Sequence, residues 1–196
     1  MKRLVLASSN RGKLAELQPM LADAGYTLVT QGELGVVDAI EDGASFIENA
    51  LIKARHACRA TGLPALADDS GIVVDALGGA PGLHSARYAG AHGDAQANNR
   101  KLLAALQGLP ESRRTARFVA VLALLRHADD PLPLVATGVW EGRILDAPLG
   151  TQGFGYDPIF FDPALGRGAA ELEPELKNRI SHRGQALQQL RSLLAC

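Results

Sequence analysis

The chain has 196 residues, 47% hydrophobic and 21% charged, which is ample for a sizeable core in one domain or two intimate lobes. A formal net charge of −1 carries no electrostatic footprint for nucleic acid or an anionic membrane, so its 20 basic residues bind an anion only where they are gathered locally. Two cysteines, Cys58 inside a helical pattern and Cys196 at the end, make no disulfide framework, and no stretch approaches a membrane span. The opening "MKRLVLASSN" has too short an apolar run for a signal peptide, so the expected compartment is a reducing cytosol.

Residues 3–7 read as a buried strand that runs directly into "SSNRGK", residues 8–13. A turn needs one Gly or Asn, whereas this one sets two hydroxyls, an amide and two cations at the start of a helix. A helix N-terminus offers backbone N–H groups and a partial positive charge, so the loop reads as a seat for a phosphate chain. The helix is expected over residues 13–24, with Leu14, Leu17 and Leu21 on one face, Pro19 as a kink and Gly25 as its stop. Tyr26–Thr30 is a second short strand. Ser45 and Glu48 form a capping box for a helix with Ile47, Leu51, Ala54 and Cys58 inward and Gly62 as its stop. Glu48 has that structural job; Asn49 has none visible in the sequence and is the better candidate to reach a site.

Two apolar runs, 65–67 and 72–77, flank an acidic turn, "DDSG". Adjacent strand residues point to opposite faces, so of Asp68 and Asp69 one carboxylate faces a cleft while the other faces solvent or caps. An acidic pair with Ser70 suits Mg²⁺, a hard cation that takes oxygen ligands and keeps waters; an Asx turn closed by Gly71 is the structural alternative. "GGAPGLHSARYAG" is a loop offering Ser85 and Arg87 for phosphate contact, and Asp94 caps a helix that ends at Gly108. Residues 118–125 are continuously apolar and fit a central strand; 135–145 and 159–161 are further strands.

Between the last two lies "GTQGFGYDP", with three glycines, two aromatics and Asp157. It matches neither the dinucleotide nor the P-loop glycine fingerprint. Its glycines beside Phe154 suit close approach to a flat ligand, with the ring free to stack; a tight turn with Phe154 and Tyr156 in the core is the alternative. In "KNRISHRGQ", Lys177, Arg179, His182 and Arg183 gather around Ser181, the expected N-cap of a last helix with Leu187, Leu190 and Leu194 inward. Cations are unfavourable at a helix N-terminus, which points to an acceptor-rich ligand, with a solvated basic face as the alternative. Strands and helices alternate early and long strands dominate the middle, so the expected class is α/β with a mixed sheet.

"SSNRGK", "FIENALIKA", "ADDSG", "GGAPGLHSARY", "QGFGYDPIF" and "ISHRGQAL" occur in this order over nearly the whole chain, and together they strongly resemble the inosine triphosphate pyrophosphatase family, the bacterial XTP/dITP diphosphatases. The resemblance implies Mg²⁺-dependent hydrolysis of ITP, dITP and XTP to the monophosphate and pyrophosphate. It also implies a homodimer and an elongated two-lobed α/β domain over 1–196, with a long central mixed sheet, a substrate cleft between the lobes and a fold related to Maf. Carried over residue by residue, Ser8, Ser9, Asn10, Arg11, Gly12 and Lys13 would bind the phosphates. Asp69 would be the catalytic carboxylate and a metal ligand, with Ser70 touching substrate beside it. Phe154, Gly155, Tyr156, Asp157, Lys177, His182 and Arg183 would form the base-binding half. One departure concerns the metal: related sequences carry two acids in a row before "TG", whereas here "AIEDG" puts Ile40 at the first position, with Glu41 or Asp42 as substitutes.

A 6-keto purine presents an acceptor at position 6 and a donor at N1, and adenine the reverse. Donors from Lys177, His182 or the backbone near Arg183 would meet the keto oxygen, and such a site can reject the other pattern by roughly 10⁴. Two rivals stand beside this reading. One is a Maf-type pyrophosphatase acting on pyrimidine or modified nucleotides. The other is a non-catalytic nucleotide-binding regulator, which the acidic "DDSG" disfavours because a carboxylate near triphosphate repels it unless a metal intervenes.

Overall fold

A computed structural model describes residues 2–195; Cys196 lies outside them. Five long apolar or alternating segments and two short ones make one seven-stranded sheet, in the order β2-β1-β3-β4-β5-β6-β7. The strands are β1 (Lys2–Leu6), β2 (Tyr26–Thr30), β3 (Ala65–Val74), β4 (Thr115–Leu125), β5 (Leu134–Ile144), β6 (Phe160–Asp162) and β7 (Arg167–Gly168). β1 pairs in parallel with β2 and β3, whereas β6 pairs antiparallel with β5 and β7, so the sheet is mixed. β4, the apolar run, lies fourth of seven, the central place that its continuous burial requires.

The helices are α1 (Arg11–Ala22), α2 (Phe46–Thr61), α3 (Ala95–Ala105), α4 (Pro174–Ile180) and α5 (His182–Leu194). Chain contacts divide the molecule into two units. The first holds the residues up to Asp69, Ala120–Gly138 and those from Gln185 on; the second holds Ser70–Val119 and Val139–Gly184.

In the first unit, strand alternation builds a core on each sheet face. Leu4, Leu6, Leu66, Ala120, Leu122 and Leu124 pack with Leu17 and Leu21 of α1 and with Ala186, Leu187 and Leu190 of α5. Val5, Ala7, Ala65, Ala67, Val121, Ala123 and Leu125 turn the other way and pack on Ala50, Ala54, Ala57 and Cys58 of α2. Each fully buried leucine contributes about 2 kcal/mol of transfer free energy. The α2 stripe therefore runs through Asn49, Ala50, Ala54, Ala57 and Cys58, while Ile47, expected inward, is 45% exposed. The second unit has its own core, in which Leu102 and Leu106 meet Ile72, Val74, Phe118, Trp140, Ile144 and Phe160. There the Trp140 indole N–H donates to Asp162 Oδ2 at 2.8 Å, which satisfies both buried groups.

Further expectations change. The acidic "DDSG" is not a turn: β3 runs unbroken from Ala65 to Val74. The first helix begins at Arg11, two residues early, because Asn10 is its N-cap. Lys177 and Arg179 lie in the last turn of a separate helix, α4, where the dipole favours cations. Only His182 and Arg183 open α5, and Ser181 Oγ accepts from the Gly184 N–H at 3.2 Å, the capping contact expected of it.

Candidate active site

The first unit gathers charge around Asp68 and Asp69. Asp68 is fully buried and Asp69 7% exposed, so neither faces solvent. Each carboxylate has its own ammonium. Lys13 Nζ lies 2.6 Å from Asp68 Oδ1 and donates to the Asp68 carbonyl at 3.0 Å. Lys53 Nζ lies 2.6 Å from Asp69 Oδ1, 3.1 Å from the Asp68 carbonyl and 3.2 Å from Glu41 Oε2. This pairing is why two adjacent aspartates can sit inside a buried strand, where isolated charges would be strongly unfavourable. Burial pushes the Asp69 carboxyl above its ordinary range, Lys53 and Lys13 oppose the rise, and the Glu41 charge adds to it. Burial pulls the Lys53 ammonium down, but the charges of Asp69, Glu41 and Asp68 outweigh it and its net shift is upward.

The loop before α1 is organised by Asn10. Its Oδ1 accepts from the backbone N–H groups of Gly12 at 2.9 Å and Lys13 at 3.1 Å, and its own N–H donates to Ser8 Oγ at 3.1 Å. Two helix-start amides expected to face an anion are thus held by the cap. Ser9, Asn10 and Arg11 are exposed; Ser8, Gly12 and Lys13 are half-buried. Asn49 is also accounted for: its Oδ1 accepts from the Gly43 N–H at 2.9 Å, a structural contact in place of the expected direct reach to a site.

The second unit carries the other residues. Ser70 Oγ accepts from Arg183 Nη2 at 3.0 Å. Asp157 Oδ2 accepts from the Phe154 N–H at 2.7 Å and from Lys177 Nζ at 2.6 Å. This loop requires Gly153, which has φ +76° and would place a Cβ 2.1 Å from Asp157 Oδ2. The two aromatics part company. Phe154 is 37% exposed, with Lys177 Nζ 5.1 Å and the Arg183 guanidinium 5.7 Å from its ring centroid. Tyr156 belongs to the core, and its hydroxyl donates to the Ser85 carbonyl at 2.8 Å, so it can meet a ligand only through its backbone. Burial pushes its phenol beyond the usual tyrosine range. Gly155 gives its carbonyl to Asn99 Nδ2 at 3.0 Å. His182 is buried and stacked on Phe118, with ring centroids 4.7 Å apart and planes 12° apart. Ser85 Oγ accepts from the Ile72 N–H and donates to the Gly82 carbonyl, a structural role, while Arg87 is exposed.

Lys53 and Asn99 were missed from the sequence. Lys53 had a legible signal: it follows Asn49 by four residues on the buried face of α2. Asn99 had none.

Among the described residues, no group of three or more His, Cys, Asp or Glu side chains could hold a metal ion. Glu41 and Asp69 nevertheless converge on one cation, the Lys53 ammonium, within 3.2 and 2.6 Å of it. Two carboxylates at one point fit Mg²⁺, which is held by one or two carboxylates and completed by water and substrate phosphates. Ile40 is 83% exposed and its side chain offers no oxygen, whereas the Glu41 carboxylate beside it reaches Lys53 Nζ.

Residues 4–193 match the model of the Ham1 family. The chain is 63% identical over 194 residues to a protein of Xylella fastidiosa named dITP/XTP pyrophosphatase, covering 99% of this chain and 98% of that one. A protein of the same name from Yersinia pseudotuberculosis is 60% identical over 188 residues, with 96% and 95% covered. Among solved structures, a HAM1 protein from Coxiella burnetii superposes with a TM-score of 0.91 at 52% identity, covering 100% of this chain and 99% of that one. With the match spanning both units and the motif residues of each, the chain belongs to the Ham1 family.

Proposed function

We propose that this chain hydrolyses dITP, XTP and ITP to the nucleoside monophosphate and pyrophosphate, clearing deaminated purines from the nucleotide pool. The names of its relatives support this reading over a Maf-type specificity or a non-catalytic regulator. The observation that carries it is the convergence of Asp69, Glu41 and Lys53, with Lys13 on the neighbouring Asp68. Ser70, the next residue in the chain, is tied to Arg183 and so to the Phe154 loop. The two residue sets meet in the sequence at the Asp69–Ser70 peptide bond.

Asp69 and Glu41 would hold the metal, for which we assign Mg²⁺. When bound, it supplies neutralising charge on the triphosphate and makes attack by water accessible near neutral pH. Asp69 takes the proton as the water oxygen bonds to the α-phosphorus. The bond from the α-phosphorus to the bridging oxygen breaks, and pyrophosphate leaves with that electron pair. Ser8, Ser9, Asn10, Arg11 and Lys13 bind the β- and γ-phosphates through their side chains, with the Gly12 N–H held by Asn10, and Lys13 and Lys53 neutralise charge that grows there. In the other half the base stacks on Phe154. Lys177, His182 and Arg183 present donors to its 6-keto oxygen, Asp157 fixes Lys177, and Gly155 and Tyr156 shape the loop. A homodimer, implied by the family resemblance, and a reducing cytosol, expected from the two cysteines, complete the reading.

Hydrolysis of ITP in ¹⁸O-water tests the chemistry. The label should appear in the monophosphate, with pyrophosphate unlabelled; label in pyrophosphate, or orthophosphate as product, contradicts attack at the α-phosphorus.

A further inference from the structure

We infer that Asn49 and Gly43 form a clamp that sets Glu41 in place, making Asn49 a positioning residue for the metal; this rests on the reading that Glu41 is a metal ligand. Glu41 sits on the segment between the short helix Gly32–Leu34 and α2. Upstream the segment is fastened by Gln31, whose amide donates to Asp38 Oδ1, and by His56, whose Nε2 lies 2.9 Å from the Val37 carbonyl. Downstream the helix holds it directly. Asn49 and Lys53 stand one turn apart on the same face of α2, and they bind two loop positions that are two residues apart. Lys53 takes the Glu41 carboxylate at 3.2 Å, and Asn49 Oδ1 takes the Gly43 N–H at 2.9 Å.

Three observations make this a built contact. Asn49 is 4% exposed, so its carboxamide is committed inside the protein. Gly43 is required by closeness: a Cβ there would lie 2.7 Å from Asn49 Oδ1, 2.7 Å from Glu48 Cβ and 3.0 Å from the Asn49 nitrogen. Ser45 Oγ accepts from the Glu48 N–H at 3.2 Å and donates to Glu48 Oε2 at 2.9 Å, which fixes where α2 begins and anchors the loop to a helix end. A carboxylate on a free loop would have to be ordered each time a cation binds, at a cost in affinity; the clamp removes that cost in advance. The neighbouring Lys53 holds the Glu41 head group, and the clamp holds its backbone.

The test compares Asn49→Leu, Asn49→Asp, Gly43→Ala and Glu41→Gln with the parent. Two readouts are taken: the Mg²⁺ concentration giving half-maximal ITP hydrolysis, and Mn²⁺ binding by the nucleotide-free protein followed by electron paramagnetic resonance. Asn49→Leu removes the acceptor and Gly43→Ala forces the two apart from the loop side, so each should raise the Mg²⁺ requirement and weaken Mn²⁺ binding about 3- to 30-fold, with KM for ITP at saturating Mg²⁺ little changed. Asn49→Asp keeps an acceptor for the Gly43 N–H and should restore values near the parent. If Glu41→Gln shifts both readouts while Gly43→Ala and a folded Asn49→Leu leave them unmoved, the clamp is overturned and Glu41 stands as a ligand. If Glu41→Gln shifts neither, the ligand reading fails and the clamp's function fails with it. Failure of Asn49→Asp to restore binding also refutes the role given to the acceptor.

Discussion

Replacing Asp157 with Asn changes one charge and almost no volume, and it isolates the electrostatics of the Phe154 loop. Asp157 and Lys177 are 2.6 Å apart, with side chains only 3% and 7% exposed. An asparagine can still accept from the Phe154 N–H through its Oδ1, so the turn keeps that bond. It leaves the Lys177 ammonium buried against a neutral amide. Removing one partner of a buried pair costs about 3–5 kcal/mol, which for a chain of this size is a fall of about 6–20 °C in Tm at about 2–4 °C per kcal/mol. Lys177→Met should cost a similar amount by leaving the carboxylate buried without its ammonium. The double variant buries no charge at this point, so its loss should fall short of the sum of the single losses by about 0.5–3 kcal/mol. Calorimetry or denaturant unfolding of the four proteins gives the cycle. Single losses below about 1 kcal/mol that simply add would mean a solvated surface pair and would refute the burial argument for this loop.

Two further predictions use other parts of the structure. Asp69→Asn keeps the size of the side chain while removing its charge, so it should nearly abolish turnover with an unchanged circular dichroism spectrum; near-normal turnover would remove Asp69 from the mechanism. Asp130 is buried and accepts from Arg126 through both Nε and Nη2, which holds its carboxyl well below the usual range. A depressed folded-state value stabilises the fold above the ordinary carboxylate range, and the stabilisation is lost as pH falls toward that value. Asp130→Asn should therefore be destabilised at pH 7, with the gap to the parent narrowing below about pH 4; a gap independent of pH from 7 to 3 would contradict the assignment.

The sequence displayed features whose cause is local. Ser45 caps α2 and Asp94 caps α3, accepting from the Ala97 N–H at 2.9 Å, as their spacing implies. Tyr26–Thr30 and the central strand needed only hydrophobic runs. What stayed hidden depends on partners distant in sequence. "DDSG" has the composition of a turn, and only Lys13, 55 residues from Asp68, and Lys53, 16 from Asp69, let it continue as a strand. The place of Lys53, one turn after Asn49, was legible; the carboxylate its ammonium meets, 16 residues on, was not. Ile47 was turned outward because Asn49 and Ala50, not Ile47, occupy the inward stripe. α4 is a seven-residue helix begun by Pro174, too short for a periodic signal, and without it Lys177 and Arg179 looked like cations at the wrong helix end. In the FGYD loop, sequence left Phe154 and Tyr156 equivalent; the Ser85 carbonyl, 71 positions from Tyr156, draws one into the core and leaves the other at the surface.

The measurement that tests the central claim most directly is pyrophosphate release from ITP, dITP, XTP, GTP, ATP, dTTP and UTP, each with Mg²⁺ and with EDTA. The account predicts fast release confined to ITP, dITP and XTP and abolished by EDTA. Release from the pyrimidine nucleotides, equal release from ATP, or release that persists in EDTA would contradict it.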